Sequence, residues 1–170
     1  MRYDFNVLIV AVLAMLSSAP LFAQGIEPDA TVKYADRDTC ALYMDIYEPD
    51  APKVACEDGK LRPTVIHVFG GGFKEGSRAE TWLRPWFREM NAKGYRMITI
   101  DYRLGLKGVR GVTQSEFARL LDNAINIAVE DLFSATEFLL KNGASMGIDP
   151  DNLVVTGSSA GAITVQQADM

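Results

Sequence analysis

Gly157-Ser158-Ser159-Ala160-Gly161 follows directly on the apolar run Leu153-Val154-Val155-Thr156. A serine flanked two positions away by glycine, entered from a buried strand and left by a helix, marks a sharp bend that exposes a hydroxyl. Holding the serine there costs roughly 1–3 kcal/mol of backbone strain. The bend leaves space only for small residues beside it, and Gly157 and Gly161 meet that need. A hydroxyl so placed can attack a carbonyl if a base takes its proton and N–H donors receive the charge that develops on oxygen. The N–H of Ala160, next after the serine, points into the required space. Further donors can come from Gly70-Gly71-Gly72, which follows the strand-like run Val65-Ile66-His67-Val68-Phe69. Glycine matters there because a backbone without Cβ can approach a tetrahedral intermediate closely. Each such donor is worth about 3–4 kcal/mol of transition-state stabilisation.

The base is the missing part. Where a serine sits on such a bend, its acid and histidine partners follow it in the chain, yet the single histidine, His67, precedes Ser159. His67 falls inside a strand and is expected to be a packing residue. The base is therefore expected downstream of Met170.

The elements that must position these groups alternate. Thr31 to Ala35 reads as a short strand, and Leu42, Met44 and Ile46 alternate with Tyr43, Asp45 and Tyr47 as in a strand with two unlike faces. Both are expected to form an antiparallel lead-in. Val65–Phe69 and Met97–Asp101 are mostly apolar, as strands covered on both faces should be. Between them a helix is predicted from Trp82 to Lys93, with Trp82, Trp86 and Met90 facing the core and Gly94 ending it. Gly105 to Gly111 reads as a loop. A long amphipathic helix then carries Phe117, Leu120, Leu121, Ala124, Ala128, Leu132, Ala135 and Leu139 on one stripe. Strand, helix, strand, helix, strand, helix demands a mostly parallel sheet with helices on both faces. Asp101 and Arg103 are assigned structural roles, Arg103 paired with a helix carboxylate such as Asp131.

Composition narrows the setting. Residues 1–23 read as a cleaved signal peptide: Arg2, the apolar run Val7 to Leu16, a break at Ser17-Ser18-Ala19-Pro20, and Leu21-Phe22-Ala23 before Gln24. The run is too short to span a bilayer, so no stable membrane anchor is expected and a secreted or periplasmic location is. In such a compartment Cys40 and Cys56 are expected to pair, the alternative being two free thiols. A closed loop of ~15 residues contributes about 3 kcal/mol in the chain-entropy picture. No C-x-x-C or neighbouring histidine suggests a metal. With 17 Lys and Arg against 22 Asp and Glu, the net charge of −5 leaves no basic footprint for nucleic acid.

Four motifs occur in register: Phe69-Gly70-Gly71-Gly72-Phe73, Asp101-Tyr102-Arg103-Leu104-Gly105, Gly147-Ile148-Asp149-Pro150 and Gly157-Ser158-Ser159-Ala160-Gly161. Together they resemble the carboxylesterase and lipase-type α/β-hydrolases. The resemblance implies an α/β-hydrolase fold, residues 24–170 being its N-terminal portion, incomplete at the C-terminus. It implies Ser159 as nucleophile and Gly71, Gly72 and Ala160 as oxyanion donors. No cofactor or metal is implied. The substrate would be a small or polysaccharide-linked ester. Phe69 stands where many relatives have histidine, and Ser158 where they often have Glu or Asp, so no supporting carboxylate carries over. Two other readings compete. A hydrolase-fold protein that binds without chemistry fits the missing base. A dinucleotide-binding unit would use Gly70, Gly72 and Gly76 with Asp101, but its glycine spacing is irregular.

Overall fold

The computed structural model describes residues 26–51 and 62–169. The signal-peptide reading of residues 1–23 and the proposed partner Cys56 lie outside the described residues, so the Cys40–Cys56 pairing does too.

Five strands, β1 (Ala30–Arg37), β2 (Cys40–Tyr47), β3 (Thr64–Val68), β4 (Arg96–Ile100) and β5 (Leu153–Gly157), form one sheet in the order β1-β2-β4-β3-β5. β1 and β2 pair antiparallel, and β2 pairs antiparallel with β4. β3 runs parallel to both β4 and β5, with Ile66 opposite Ile98 on one side and Val155 on the other. This is the mixed sheet of a partial α/β-hydrolase fold, with the antiparallel lead-in that the sequence predicts.

Among the described residues three α-helices cover it. α1 (Arg84–Ala92) lies on one face, where Phe87 packs with Tyr47, Val65, Leu83 and Met97. α2 (Gln114–Asn142) and α3 (Ala160–Ala168) lie on the other, where Ala124, Ala128, Leu132, Ala135 and Leu139 meet Ile66, Val68, Ile98 and Ile100. α2 starts cleanly because the Thr113 hydroxyl accepts the Glu116 N–H at 3.3 Å, and Glu116 puts an acid in the first turn. Beyond its end, a short 3₁₀ turn at Gly143–Met146 closes on left-handed Gly147.

Three local expectations change. Trp82 is 64% exposed, on a single 3₁₀ turn at Thr81–Leu83, and is not a core residue. The helix begins only at Arg84, with Pro85 in its first turn, and that brings Phe87 rather than Trp82 inward. Asp45 and Tyr47 are buried although they belong to the face expected to be the more polar one. The reason is topological: β2 is an interior strand, flanked by β1 and β4, and α1 covers that face. A register shift between Lys33 and Ala35 makes Tyr34 an extra residue in β1, and its hydroxyl donates to the Asp101 carbonyl at 2.5 Å.

The expected Arg103–Asp131 pair is present. Asp131 is fully buried on α2 and receives Arg103 (2.8 Å) and Arg37 (3.0 Å). One carboxylate thereby joins the β1–β2 hairpin, the segment after β4 and α2.

Candidate active site

The C-terminal ends of β3 and β5 lie side by side, with Val68 opposite Gly157. The chain leaves β5 through Ser158, whose N–H still donates to Val68 at 3.1 Å. It then turns through Ser159 at φ 50°, ψ −116°, and enters α3 at Ala160. This is the strained strand-turn-helix bend read from the sequence. Ser159 is exposed at the tip and Ala160 is buried behind it.

The glycines around the bend are obligatory. A Cβ on Gly161 would run into the Val68 and Phe69 carbonyls, and one on Gly157 into the backbone of Gly161 and Ala162. β5 and α3 therefore meet backbone to backbone, and α3 sits directly over the end of β3.

The triple-glycine segment comes to the same corner. A Cβ on Gly70 would lie 3.1 Å from the Ser159 Cβ and 3.0 Å from the Ser158 carbonyl, so its bare backbone rests against the bend. Gly71 (φ 118°), Gly72 (φ 62°) and Phe73 (φ 59°) then follow in succession with positive φ. That run turns the peptide units away from any ladder pairing. The Gly71 carbonyl accepts from Lys74 (3.1 Å) and Glu75 (3.2 Å), closing the loop. Among the described residues, no N–H of Gly71, Gly72 or Ala160 is given to another backbone carbonyl in these turns. The structure thus brings Ser159 and Ala160 to one corner with Gly70, the residue directly before Gly71 and Gly72. The glycine loop leads into a turn and the 3₁₀ segment rather than straight into a helix, so it lacks the helix N-terminus on which a dinucleotide phosphate would rest.

His67 stands apart from that corner. It is 5% exposed beneath α1, edge-on to Trp86 (5.4 Å) and Phe87 (6.1 Å). The Thr156 hydroxyl donates to the Ile66 carbonyl, so His67 Nδ1–H is the donor to Thr156 Oγ1 at 3.1 Å. Nε2 is left without a partner among the described residues. Burial lowers the ring's pKa to about 4, so it is neutral at ordinary pH. It is the packing histidine that its place in a strand suggests.

Two residues beside the corner carry more than the sequence revealed. The Tyr102 hydroxyl donates to the Phe69 carbonyl at 3.0 Å, and its ring stacks on Phe69 with centroids 4.3 Å apart. The Asp101 carboxylate receives Arg78 Nη1 at 2.7 Å. Burial pushes the Asp101 carboxyl above its usual range against the pull of Arg78. The one available signal was their adjacency at the end of a buried strand, and that signal names no partner.

Comparison with known proteins extends this picture. The BD-FAE family model matches residues 44–166. The chain is 29% identical over 153 residues to secreted lipase 1 of Botryotinia fuckeliana, covering 90% of this chain and 24% of the lipase. It is 30% identical over 128 residues to neuroligin-like protein glit-1 of Caenorhabditis elegans, covering 75% of this chain and 16% of that protein. The propionate-bound thermophilic esterase of Thermogutta terrifontis superposes with a TM-score of 0.57 at 26% identity, over 84% of this chain and 44% of the esterase. The chain therefore spans less than half of the solved esterase and 24% or less of these two relatives.

Proposed function

The chain belongs to the BD-FAE family, of α/β-hydrolase type, and from that premise we propose that it carries the nucleophile and oxyanion hole of a serine carboxylic-ester hydrolase. The observation that carries this reading is Ser159, exposed at positive φ with the bare Gly70 backbone against it. Its hydroxyl attacks the ester carbonyl as a base removes its proton. The carbonyl oxygen becomes an oxyanion held by the N–H groups of Gly71, Gly72 and Ala160. Collapse of the intermediate expels the alcohol and leaves an acyl group on Ser159, which water then releases as the acid. The chemistry calls for no cofactor.

The base is not His67, whose Nδ1 is committed to Thr156 under α1. The reading calls for a histidine base with an acid partner, and His67 is the single histidine of the 170 residues, which span 44% of the solved esterase. Without such a base the chemistry on Ser159 slows on the order of a millionfold in turnover. Export of the protein is supported by the N-terminal signal pattern, and among the described residues no helix is long and apolar enough to cross a membrane. An exported esterase would meet small esters or ester groups on polysaccharide.

The test is covalent labelling with a p-nitrophenyl phosphonate. The enzyme-length polypeptide is expected to label and to lose the label in Ser159→Ala. Persistence of the label in that variant removes Ser159 from its role.

A further inference from the structure

The segment from Phe69 to Arg78 is held at both ends by two consecutive residues outside it. At its start, the Tyr102 hydroxyl donates to the buried Phe69 carbonyl at 3.0 Å and the two rings stack. At its finish, Arg78 reaches Asp101 at 2.7 Å and Asp45 at 3.0 Å. In the middle, Phe73 turns its ring edge to Tyr102 at 6.3 Å, and its carbonyl accepts the Leu106 N–H at 2.9 Å. We propose that Asp101 and Tyr102 are positioning residues that clamp the two ends of the glycine loop and so fix Gly71 and Gly72 against Ser159. The inference rests on the reading of those two glycines as oxyanion donors.

Three features make the clamp necessary. With positive φ at Gly71, Gly72 and Phe73 in succession, the loop has no strand or helix ladder of its own. A cavity of about 620 Å³, lined in part by Phe69, Gly76, Asp101 and Tyr102, lies against the loop, so dense packing does not hold that side. The anchors themselves are held by further hydrogen bonds. Asp101 gives its N–H to Tyr43 (2.8 Å), accepts the Tyr43 N–H on its carboxylate (3.2 Å) and accepts the Tyr34 hydroxyl on its carbonyl (2.5 Å). The Tyr102 hydroxyl, driven upward in pKa by burial, stays protonated as a donor. Gly76 brings its bare backbone close to the start of the segment, where an added Cβ would lie 2.6 Å from the Gly70 carbonyl and from the Phe69 ring.

Hydrogen exchange on the 170-residue chain tests the clamp. The reporters are the Lys74 and Glu75 amides, which donate to Gly71, and the Leu106 amide, which donates to Phe73. Tyr102→Phe, which keeps the ring, and Asp101→Asn, which keeps the size, are each expected to speed these amides at least tenfold while β3 and β4 amides hold their rates. Unchanged reporters, or equal acceleration throughout the sheet, would overturn the proposal. In the enzyme-length polypeptide, Tyr102→Phe is expected to lower kcat about tenfold with KM within twofold. A change in KM alone counts against it. Phosphonate labelling that survives Ser159→Ala would sink the functional reading while leaving the exchange result intact, so the two failures are distinguishable.

Discussion

The bend at Ser159 and the sheet layer beneath α1 are built on opposite terms. At the bend the backbone is irregular: Ser159 and Phe73 take positive φ, and glycines let main chain touch main chain. Under α1 the backbone is regular strand, and the irregularity is in the side chains. Asp45, Thr99, His67 and Thr156 stand in one row across four strands, by the register of β2, β4, β3 and β5. The His67 Nε2, Thr99 Oγ1 and Tyr47 hydroxyl have no partner there among the described residues. Strain stored in backbone presents a hydroxyl and leaves amides free to act. Polar groups stranded on a flat ladder present nothing, and their cost falls on stability alone.

Substitutions can break or sharpen that contrast. The largest effect belongs to the bend: Ser159→Ala in the enzyme-length polypeptide should cut ester turnover by about 10⁴-fold or more while leaving the thermal midpoint almost unchanged. Next is its glycine scaffold. Gly161→Val drives a branched side chain into the Val68 and Phe69 carbonyls, and a loss of roughly 4 kcal/mol or more, or failure to fold, is expected in urea titration. A variant of normal stability would show that α3 does not rest on β3.

The layer under α1 should answer to pH instead. The folded His67 ring titrates at about 4, and its ordinary value is 6.5. Between those values only the unfolded chain takes up the proton. The contribution is therefore complete above about pH 6.5 and lost as pH falls through 4, some 3 kcal/mol in all. Urea titrations at stepped pH should show that slope, and His67→Asn should flatten it. A smaller gain is expected from Thr99→Val, which removes a stranded hydroxyl and should raise stability by about 1 kcal/mol. Destabilisation would mean that the hydroxyl is satisfied. The smallest effect is that of exposed Trp82→Ala, within about 0.5 kcal/mol of the parent.

Much of this architecture is readable from local pattern. The alternation of buried runs and amphipathic helices specifies the parallel core of the sheet, and glycine spacing specifies the bend, because strand period and turn chemistry act over a few residues. Even the Arg103–Asp131 pair is foreseeable, since a buried helix carboxylate needs a cation. The clamp on the glycine loop is not. Tyr102 bonds to a main-chain oxygen at Phe69, and a bond to a carbonyl leaves no trace in residue type. Trp82 keeps helical spacing with Trp86 although it sits on a separate 3₁₀ turn that ends before Arg84, and spacing alone does not distinguish the two. The burial of Asp45 depends on β2 being an interior strand, a fact of long-range register rather than of its own alternation.

Asp131 is shut away from solvent with Arg37 and Arg103 upon it. Dissolved ions weaken most the charge pairs that they can surround, and here the carboxylate is 0% exposed while the Arg37 and Arg103 side chains are 22% and 24% exposed, so screening is much reduced. Brine that loosens the surface pairs will leave the hairpin moored to its helix.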